Sequence, residues 1–245
     1  MRCFMATCRR SSPPISSPHK RSRLLGELGD LAHAKVSSGE FEYIGGTEIF
    51  GQAEPADYIY QVIEGAVRTH KLLSDGRRQI GAFHLPGDIF GLENGDFHRF
   101  TAEAIIDTTV RLVKRQSLER EAKNDPAMVR SLLNLTANNL QHVENHLLLL
   151  GRKSTRERVA AFLVEMDCHL TAPDIIALPM DRREIADYLG LTLETVSSAI
   201  SAYQRKGFLT VAGPMHRDII VLNPAGLTEL DRSRLNSGSP CGGAE

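Results

Sequence analysis

An uninterrupted helical pattern over residues 126–150 constrains this 245-residue chain more than any other feature. Apolar residues recur there at alternating intervals of four and three, which places them along one side of a single α-helix about 38 Å long at about 1.5 Å per residue. Asp125 before Pro126 is a typical helix start, and Gly151 is the expected C′ residue. The first stripe consists of Val129, Leu133, Thr136, Leu140, Val143, Leu147 and Leu150.

The same helix carries a second apolar stripe, made of Met128, Leu132, Leu135 and Leu149. The rest of the chain can cover one stripe, but two stripes on one helix require a second partner surface. We therefore predict that residues 125–151 form a dimerisation helix and that the first stripe is the homodimer interface. The alternative is a helix buried between two domains of a monomer.

Short β-prone runs separated by turn residues precede this helix. Such runs at near-regular spacing, without a long helical pattern among them, favour an antiparallel roll or barrel. We predict a sensor-like β-roll domain over residues 26–124, and an α+β fold overall. The predicted strands cover residues 41–44, 58–63, 67–73, 79–85 and 108–114, with turns at Gly45-Gly46, Glu64-Gly65, Asp75-Gly76 and Pro86-Gly87-Asp88.

The residues after the long helix have the pattern of a winged helix-turn-helix. Residues 154–157 read as a capping box that starts the next helix. Asp181 with Glu184 forms a second capping box, Gly190 follows as a turn residue, and Thr192 caps a further helix. Residues 208–211 and 218–222 suit a β-hairpin wing. We predict that residues 152–223 form this domain.

The second helix of the motif has an inner face of Val196, Ala199, Ile200 and Tyr203, so its polar residues point outward where a recognition helix meets base edges. A glutamate can accept from the cytosine amino group, and flanking cations contact phosphates. The motif is barely basic, so dimer avidity must add to its affinity. The predicted DNA-binding residues are Arg182, Arg183, Thr192, Glu194, Thr195, Ser197, Ser198, Arg205 and Lys206.

Several motifs together resemble the Crp/Fnr family of bacterial regulators. Residues 86–91 (PGDIFG) look like the signature of that family's β-roll, and residues 64–68 (EGAVR) look like its mid-roll turn. Residues 182–197 (RREIADYLGLTLETVS) are most similar to the FixK-type branch. The resemblance covers about residues 41–222. It implies control of microaerobic respiration and nitrogen fixation, in this branch usually by an activator that recruits RNA polymerase at a palindromic operator with TTG and CAA ends, and activation against repression stays open.

One residue departs from the family pattern, which continues Glu-x-x-Ser-Arg where this chain has Ser198. An arginine can contact guanine O6 and N7 with two hydrogen bonds, and a serine cannot. The family's strongest guanine contact is therefore missing from this chain. The alternative function is a ligand-sensing β-roll regulator, responding to a cyclic nucleotide or a gas, with weakened or altered DNA specificity.

The sequence gives little support to a bound cofactor or to catalysis. A cyclic-nucleotide roll of this family places an arginine before a small hydroxyl residue, and here Phe100 precedes Thr101. An iron-sulfur cluster commonly needs four closely spaced cysteines, and a zinc-protease helix has Glu directly after its first His, unlike His142 and His146. A cupin-like metal enzyme is the remaining alternative. We predict no catalytic residues, no cofactor and no metal, with both histidines as polar flanks of the dimer helix.

Composition sets the remaining limits. The net charge of −1 carries no global signature of nucleic-acid binding. Residues 1–25 are basic and rich in Ser and Pro but have no apolar signal core, so we predict a disordered leader, and residues 224–245 a C-terminal tail. Four scattered cysteines without a secretion signal favour a reducing cytoplasm. No apolar run is long enough to cross a membrane.

Overall fold

Turn residues divide residues 38–114 into eight strands in the computed structural model, which describes residues 38–123, 125–152, 154–169, 175–212 and 218–230. The strands form two antiparallel four-stranded sheets, ordered β1-β8-β3-β6 and β2-β7-β4-β5. This confirms the predicted roll, although three strands of two to four residues were missed. The strands are β1 (Ser38–Tyr43), β2 (Glu48–Phe50), β3 (Tyr58–Glu64), β4 (Val67–Leu72), β5 (Arg78–His84), β6 (Ile89–Phe90), β7 (Thr101–Ala104) and β8 (Thr108–Lys114).

The turn between β3 and β4 requires a glycine. Gly65 has φ +92°, and a Cβ built on it would lie 2.4 Å from Thr108 Oγ1 and 2.5 Å from the Asp107 carbonyl oxygen. The Thr108 hydroxyl also binds the backbone N–H of Ala66 at 3.1 Å. Close backbone packing here aligns the two sheets around an apolar core that contains Phe50, Tyr60, Val62, Val67, Phe90, Ala102 and Val110.

Three helices follow the roll: α1 (Arg115–Ala122), which was not predicted, α2 (Pro126–Arg152) and α3 (Thr155–His169). Helix α2 is the predicted long helix. Gly151 lies inside it and lacks the positive φ of a C′ glycine, so the predicted end was wrong. The break falls after Arg152, because Ser154 and Glu157 form the predicted capping box of α3 through their side chains and backbone N–H groups.

The two stripes of α2 have different environments. Met128 and Leu135 pack against the roll and α1, and Leu149 belongs to the core that the roll shares with the following domain. The first stripe remains uncovered in the single chain, except that Leu150 is partly buried against the same core as Leu149. The exposed hydrophobic members are Val129 (41%), Leu133 (64%), Leu140 (58%), Val143 (53%) and Leu147 (62%), and Thr136 is exposed with them.

The remaining elements build the winged helix-turn-helix: β9 (Ile175–Ala177), α4 (Arg182–Leu189), α5 (Leu193–Arg205), β10 (Leu209–Ala212), β11 (Asp218–Val221) and α6 (Pro224–Leu230). The wing hairpin β10–β11 was predicted, and β9 adds a third strand to its sheet. The C-terminal tail was predicted to begin at residue 224, but helix α6 begins there instead. Asn223 caps α6 through Gly226, and Leu227 is buried in the core because it packs with α3.

One hydrophobic core joins the roll to this C-terminal domain. Ile80, Phe83 and Leu85 of the roll belong to the same cluster as Phe162 of α3 and Tyr188 of α4. No helix of the described residues is long and apolar enough to cross a membrane. The predicted leader, residues 1–25, lies outside the described residues, and so does the turn of the wing hairpin.

Candidate nucleic-acid interface

Helix α4 is held by the predicted capping box. The Glu184 backbone N–H donates to Asp181 Oδ1 at 2.9 Å, and the Asp181 N–H donates to Glu184 Oε2 at 2.7 Å. Gly190 ends the helix in the left-handed region, with φ 62° and ψ 42°. These local bonds fix the direction in which the chain enters the turn before α5.

Helix α5 presents a polar face on a buried base. Thr192 is its N-cap and accepts from the Thr195 N–H at 3.3 Å, so this hydroxyl is engaged within the turn. The inner residues Val196, Ala199, Ile200, Ala202 and Tyr203 are buried. Glu194 and Ser198 are exposed, whereas Thr195 and Ser197 are half-buried. The helix can therefore enter a groove of a partner without losing its packing.

Glu194 is held in its ionised form at the start of α5. Its pKa is lowered by hydrogen bonds from its own backbone N–H and from the Thr192 side chain, and by the nearby charge of Arg183. An ionised carboxylate is only an acceptor, which suits an amino group on a base edge.

The predicted cations lie at the start of α4 and at the C-terminal end of α5, and Arg183 is close enough to Glu194 to lower its pKa. Arg183 is exposed and Arg182 is half-buried at the start of α4. Arg205 and Lys206 are exposed at the C-terminal end of α5, about 16 Å from Glu194 along the helix axis at about 1.5 Å per residue. The Lys206 ammonium also lies 5.7 Å from the centre of the Phe208 ring. Cations at both ends can meet phosphates on either side of a groove.

Two residues beside the candidate interface were not among those predicted from the sequence. Thr155 and Arg156, in the first turn of α3, line a groove of about 350 Å³ together with Glu194, Thr195, Ser198 and Ala199 of α5. The buried Tyr203 hydroxyl donates to the Arg156 carbonyl oxygen at 2.5 Å and ties this turn to α5. The capping box marked these residues as a helix start only, because spacing along the chain does not show which helices become neighbours.

A buried ion cluster connects the roll to α4. Arg68 of β4 contacts Glu184 with one guanidinium nitrogen and Glu103 of β7 with the other, the latter at 2.5 Å. Arg78 lies 3.4 Å from Asp187, and the Gln79 side chain donates to the Asp187 carbonyl oxygen at 2.7 Å. The helix-turn-helix is thus fixed to the roll by polar contacts as well as by the shared core.

Histidines collect where the roll, α2 and α4 meet, and the two histidines of α2, predicted as polar flanks of the dimer helix, are half-buried there. His142 lies 3.3 Å from Glu165 of α3, and the His146 ring stacks on Tyr188 of α4 at 4.2 Å. Burial and the charge of His142 lower the pKa of His84 to about 3 and that of His146 to about 4. The described residues contain no group of three His, Cys, Asp or Glu side chains placed to hold a metal.

Phe100 and Thr101, the positions compared with a cyclic-nucleotide site, and the neighbouring Arg99 have partners within the roll. Arg99 forms an ion pair with Glu93 at 2.8 Å. The Thr101 hydroxyl accepts from the Gln52 N–H at 3.0 Å, and Phe100 packs close to Gly81. These residues therefore have structural contacts within the roll.

Comparison with known proteins agrees with this geometry. A family model described as a Crp-like helix-turn-helix domain matches residues 157–230, and one described as a cyclic nucleotide-binding domain matches residues 40–125. The nitrogen fixation regulation protein FixK of Azorhizobium caulinodans is 42% identical over 193 residues, covering 76% of each chain. The FixK protein of Rhizobium meliloti is 38% identical, covering 81% of this chain and 97% of its own. The structure of FixK2 from Bradyrhizobium japonicum has a TM-score of 0.77 and 58% identity, covering 80% of this chain and 98% of that one.

Proposed function

The chain belongs to the Crp/Fnr family of transcription regulators, in its FixK-type branch, and we propose that it binds a palindromic operator as a homodimer to control low-oxygen respiration or nitrogen-fixation genes. The observation that carries the proposal is the exposed polar start of α5 on a buried base, with Glu194 ionised and cations at both ends of the helix. The nitrogen-fixation targets follow from the names of the FixK relatives, which are nitrogen fixation regulation proteins, and the low-oxygen targets follow from the resemblance to the FixK-type branch.

The proposed DNA contacts fall into two groups: contacts that read the base sequence and contacts that position the protein on the DNA backbone. Glu194, Ser197 and Ser198 lie where a recognition helix faces base edges, and Thr195 lies beside them. Arg182, Arg183, Arg205 and Lys206 are placed to bind phosphates, which position the protein without reading sequence. Thr192 acts through the cap that aligns α5, since its hydroxyl is bound within the turn.

A second copy of the chain supplies the symmetry that a palindrome requires. The uncovered stripe of α2 repeats at the spacing of a coiled-coil seam, and pairing two such helices removes five exposed hydrophobic side chains from water. The interface consists of Val129, Leu133, Thr136, Leu140, Val143 and Leu147, and Leu150 lies at its edge because its own chain partly covers it. Once bound to DNA, the dimer recruits RNA polymerase.

Selection of bound duplexes from a random pool tests the proposal. The wild type should enrich an inverted repeat, and Glu194→Ala should lose that enrichment because it removes the base-facing carboxylate. Glu42→Ala, an exposed carboxylate on β1, is the matched control and should enrich the same repeat. A wild type that enriches no inverted repeat would overturn the proposed function.

A further inference from the structure

Arg156 places a cation beside a part of the recognition helix α5 that carries no cation of its own. Ser198 is exposed on α5 and faces the groove that Arg156 lines from the start of α3. Its short side chain leaves this part of the groove open. A duplex that receives α5 in its major groove has a phosphate backbone along each side of the helix, so a cation in a groove at the side of α5 meets a phosphate.

The backbone of Arg156 is fixed while its side chain is available. The Tyr203 hydroxyl holds the Arg156 carbonyl oxygen at 2.5 Å, and burial raises the pKa of Tyr203 to about 12, so the hydroxyl remains a donor. The Arg156 side chain is exposed, and no carboxylate of the described part of the chain lies within 4.0 Å of its guanidinium. In contrast, Arg158, two residues on, points back toward the Leu189 carbonyl oxygen.

We infer that Arg156 is a DNA-phosphate ligand that supplies, from α3, the positive charge that α5 lacks at Ser198. The inference rests on the proposed function and deepens it. It assigns DNA affinity at this position to Arg156 and recognition of the base to Ser198. Arg156 would anchor each half-site through the backbone, and Ser198 would leave the neighbouring base pair weakly read. Affinity is then retained while the preference for guanine at that pair is relaxed.

Salt dependence of binding distinguishes a phosphate contact from a structural effect. Each phosphate contact contributes about 0.9 to the slope of log K against log salt, so a dimer of Arg156→Gln should lose about 1.8 from that slope. Affinity at fixed low salt should fall by about tenfold or more on operator and random duplexes alike. Arg156→Lys keeps the charge and should keep the slope. Lys71→Gln, which removes an exposed charge from the roll, should change neither.

A double-mutant cycle tests whether Arg156 substitutes for a cation at residue 198. Ser198→Arg places a second guanidinium in the same groove, so in that background Arg156→Gln should cost at most about half as much, on the logarithmic scale, as it costs in the wild type. Strictly additive effects would overturn the substitution. A loss confined to duplexes with guanine at the read position would show a base contact and overturn the phosphate assignment.

The failure of this inference can be told apart from failure of the proposed function. Random duplexes report the phosphate contact even if no operator exists. A smaller salt slope of Arg156→Gln on random duplexes therefore supports the Arg156 assignment, whereas a selection that enriches no inverted repeat counts against the proposed operator. An unchanged slope in a variant that still enriches the repeat overturns the Arg156 assignment alone. Thermal unfolding of each variant should match the wild type, because the substitutions retain the carbonyl that Tyr203 binds.

Discussion

Single residues at the start of α5 decide what the proposed interface can read. Glu194 is ionised and offers only acceptors, so its natural partner is an amino group such as that of cytosine. Ser198 offers a short hydroxyl that serves several bases. The interface should therefore discriminate strongly at the pair that Glu194 faces and weakly at its neighbour.

Glu194→Gln should relax this discrimination. Glutamine can donate as well as accept, so it tolerates bases that repel the carboxylate, and the expected loss is about 1 to 3 kcal/mol of preference per half-site. Competition binding between operators that differ at one base pair, at fixed salt, measures it. An equal change of affinity for every duplex would mean that Glu194 contacts no base.

Gly65→Ala should destabilise the roll. The Cβ would meet the Asp107 carbonyl at 2.5 Å and the Thr108 Cα at 2.6 Å, which are backbone atoms, and φ +92° is itself strained for alanine. We expect urea unfolding to show a loss of about 2 kcal/mol or more in the free energy of unfolding. Gly76→Ala, where φ is +80° but no atom lies within 4 Å, should cost less. Equal losses would indicate that only the backbone conformation matters.

At the scale of elements, long periodic helices and capped turns could be predicted, whereas short elements could not. The apolar period of α2 runs from Val129 to Leu150 within a helix of 27 residues, and the capping boxes at Ser154 and Asp181 are local signals. Strands β2, β6 and β7 have two to four residues, too few to establish a period. Helix α6 did have a readable signal, because Asn223 before Pro224 is a cap followed by a proline at the first helical position.

The uncovered stripe of α2 makes a prediction at this scale. Leu140→Asp combined with Val143→Asp places charges in the proposed seam, where they would be desolvated without partners. The variant should sediment as a monomer and bind a palindromic duplex far more weakly than the wild type. The matched control is Asn139→Asp with Glu144→Gln, two exposed positions of the same helix that leave the hydrophobic stripe unchanged. A dimer that survives the double Asp change would exclude this stripe as the interface.

At the scale of the whole molecule, the sequence could not show that the roll and the helix-turn-helix share one core. The ion cluster of Arg68, Glu103 and Glu184 joins residues 116 apart in the chain, and no local pattern predicts such a pair. Glu184 was recognised as a capping residue, but its second role at the junction depends on tertiary packing. The position of Arg156 beside Ser198 also depends on tertiary packing, so no local pattern predicts it.

Arg68→Met should be strongly destabilising because it leaves the buried Glu184 carboxylate and the half-buried Glu103 carboxylate close together without a counter-charge. Side-chain exposure is 12% for Arg68, 5% for Glu184 and 19% for Glu103, and losing one partner of such a pair costs about 3 to 5 kcal/mol. Adding Glu184→Gln should recover part of the loss, since glutamine keeps the cap without the charge. Urea unfolding of the two single variants and the double variant measures the coupling, and additive losses would contradict a shared cluster.

The histidines at the junction between the roll and the C-terminal domain make the stability of the folded chain sensitive to acid. His84 and His146 have folded pKa values of about 3 and about 4, below the ordinary 6.5, so the unfolded chain binds protons first as the pH falls. Their contribution to stability is complete above pH of about 6.5 and is lost as the pH falls toward the folded values. The free energy of unfolding should fall by up to about 1.4 kcal/mol per pH unit for each histidine.

Unfolding measured between pH of about 6.5 and 5 isolates this effect, because most carboxylates titrate lower. The groups that face the pair are His142, Glu165 and Tyr188, and the pKa of Tyr188 is raised by burial, so it stays neutral in this range. His146→Phe keeps a ring to stack on Tyr188 but removes one titrating group, so its pH slope should be shallower than that of the wild type. Since His70 and His98 are also buried with lowered pKa, some slope should remain. If the slope is unchanged in His146→Phe, the acid sensitivity arises in the roll and not at its junction with the DNA-binding domain.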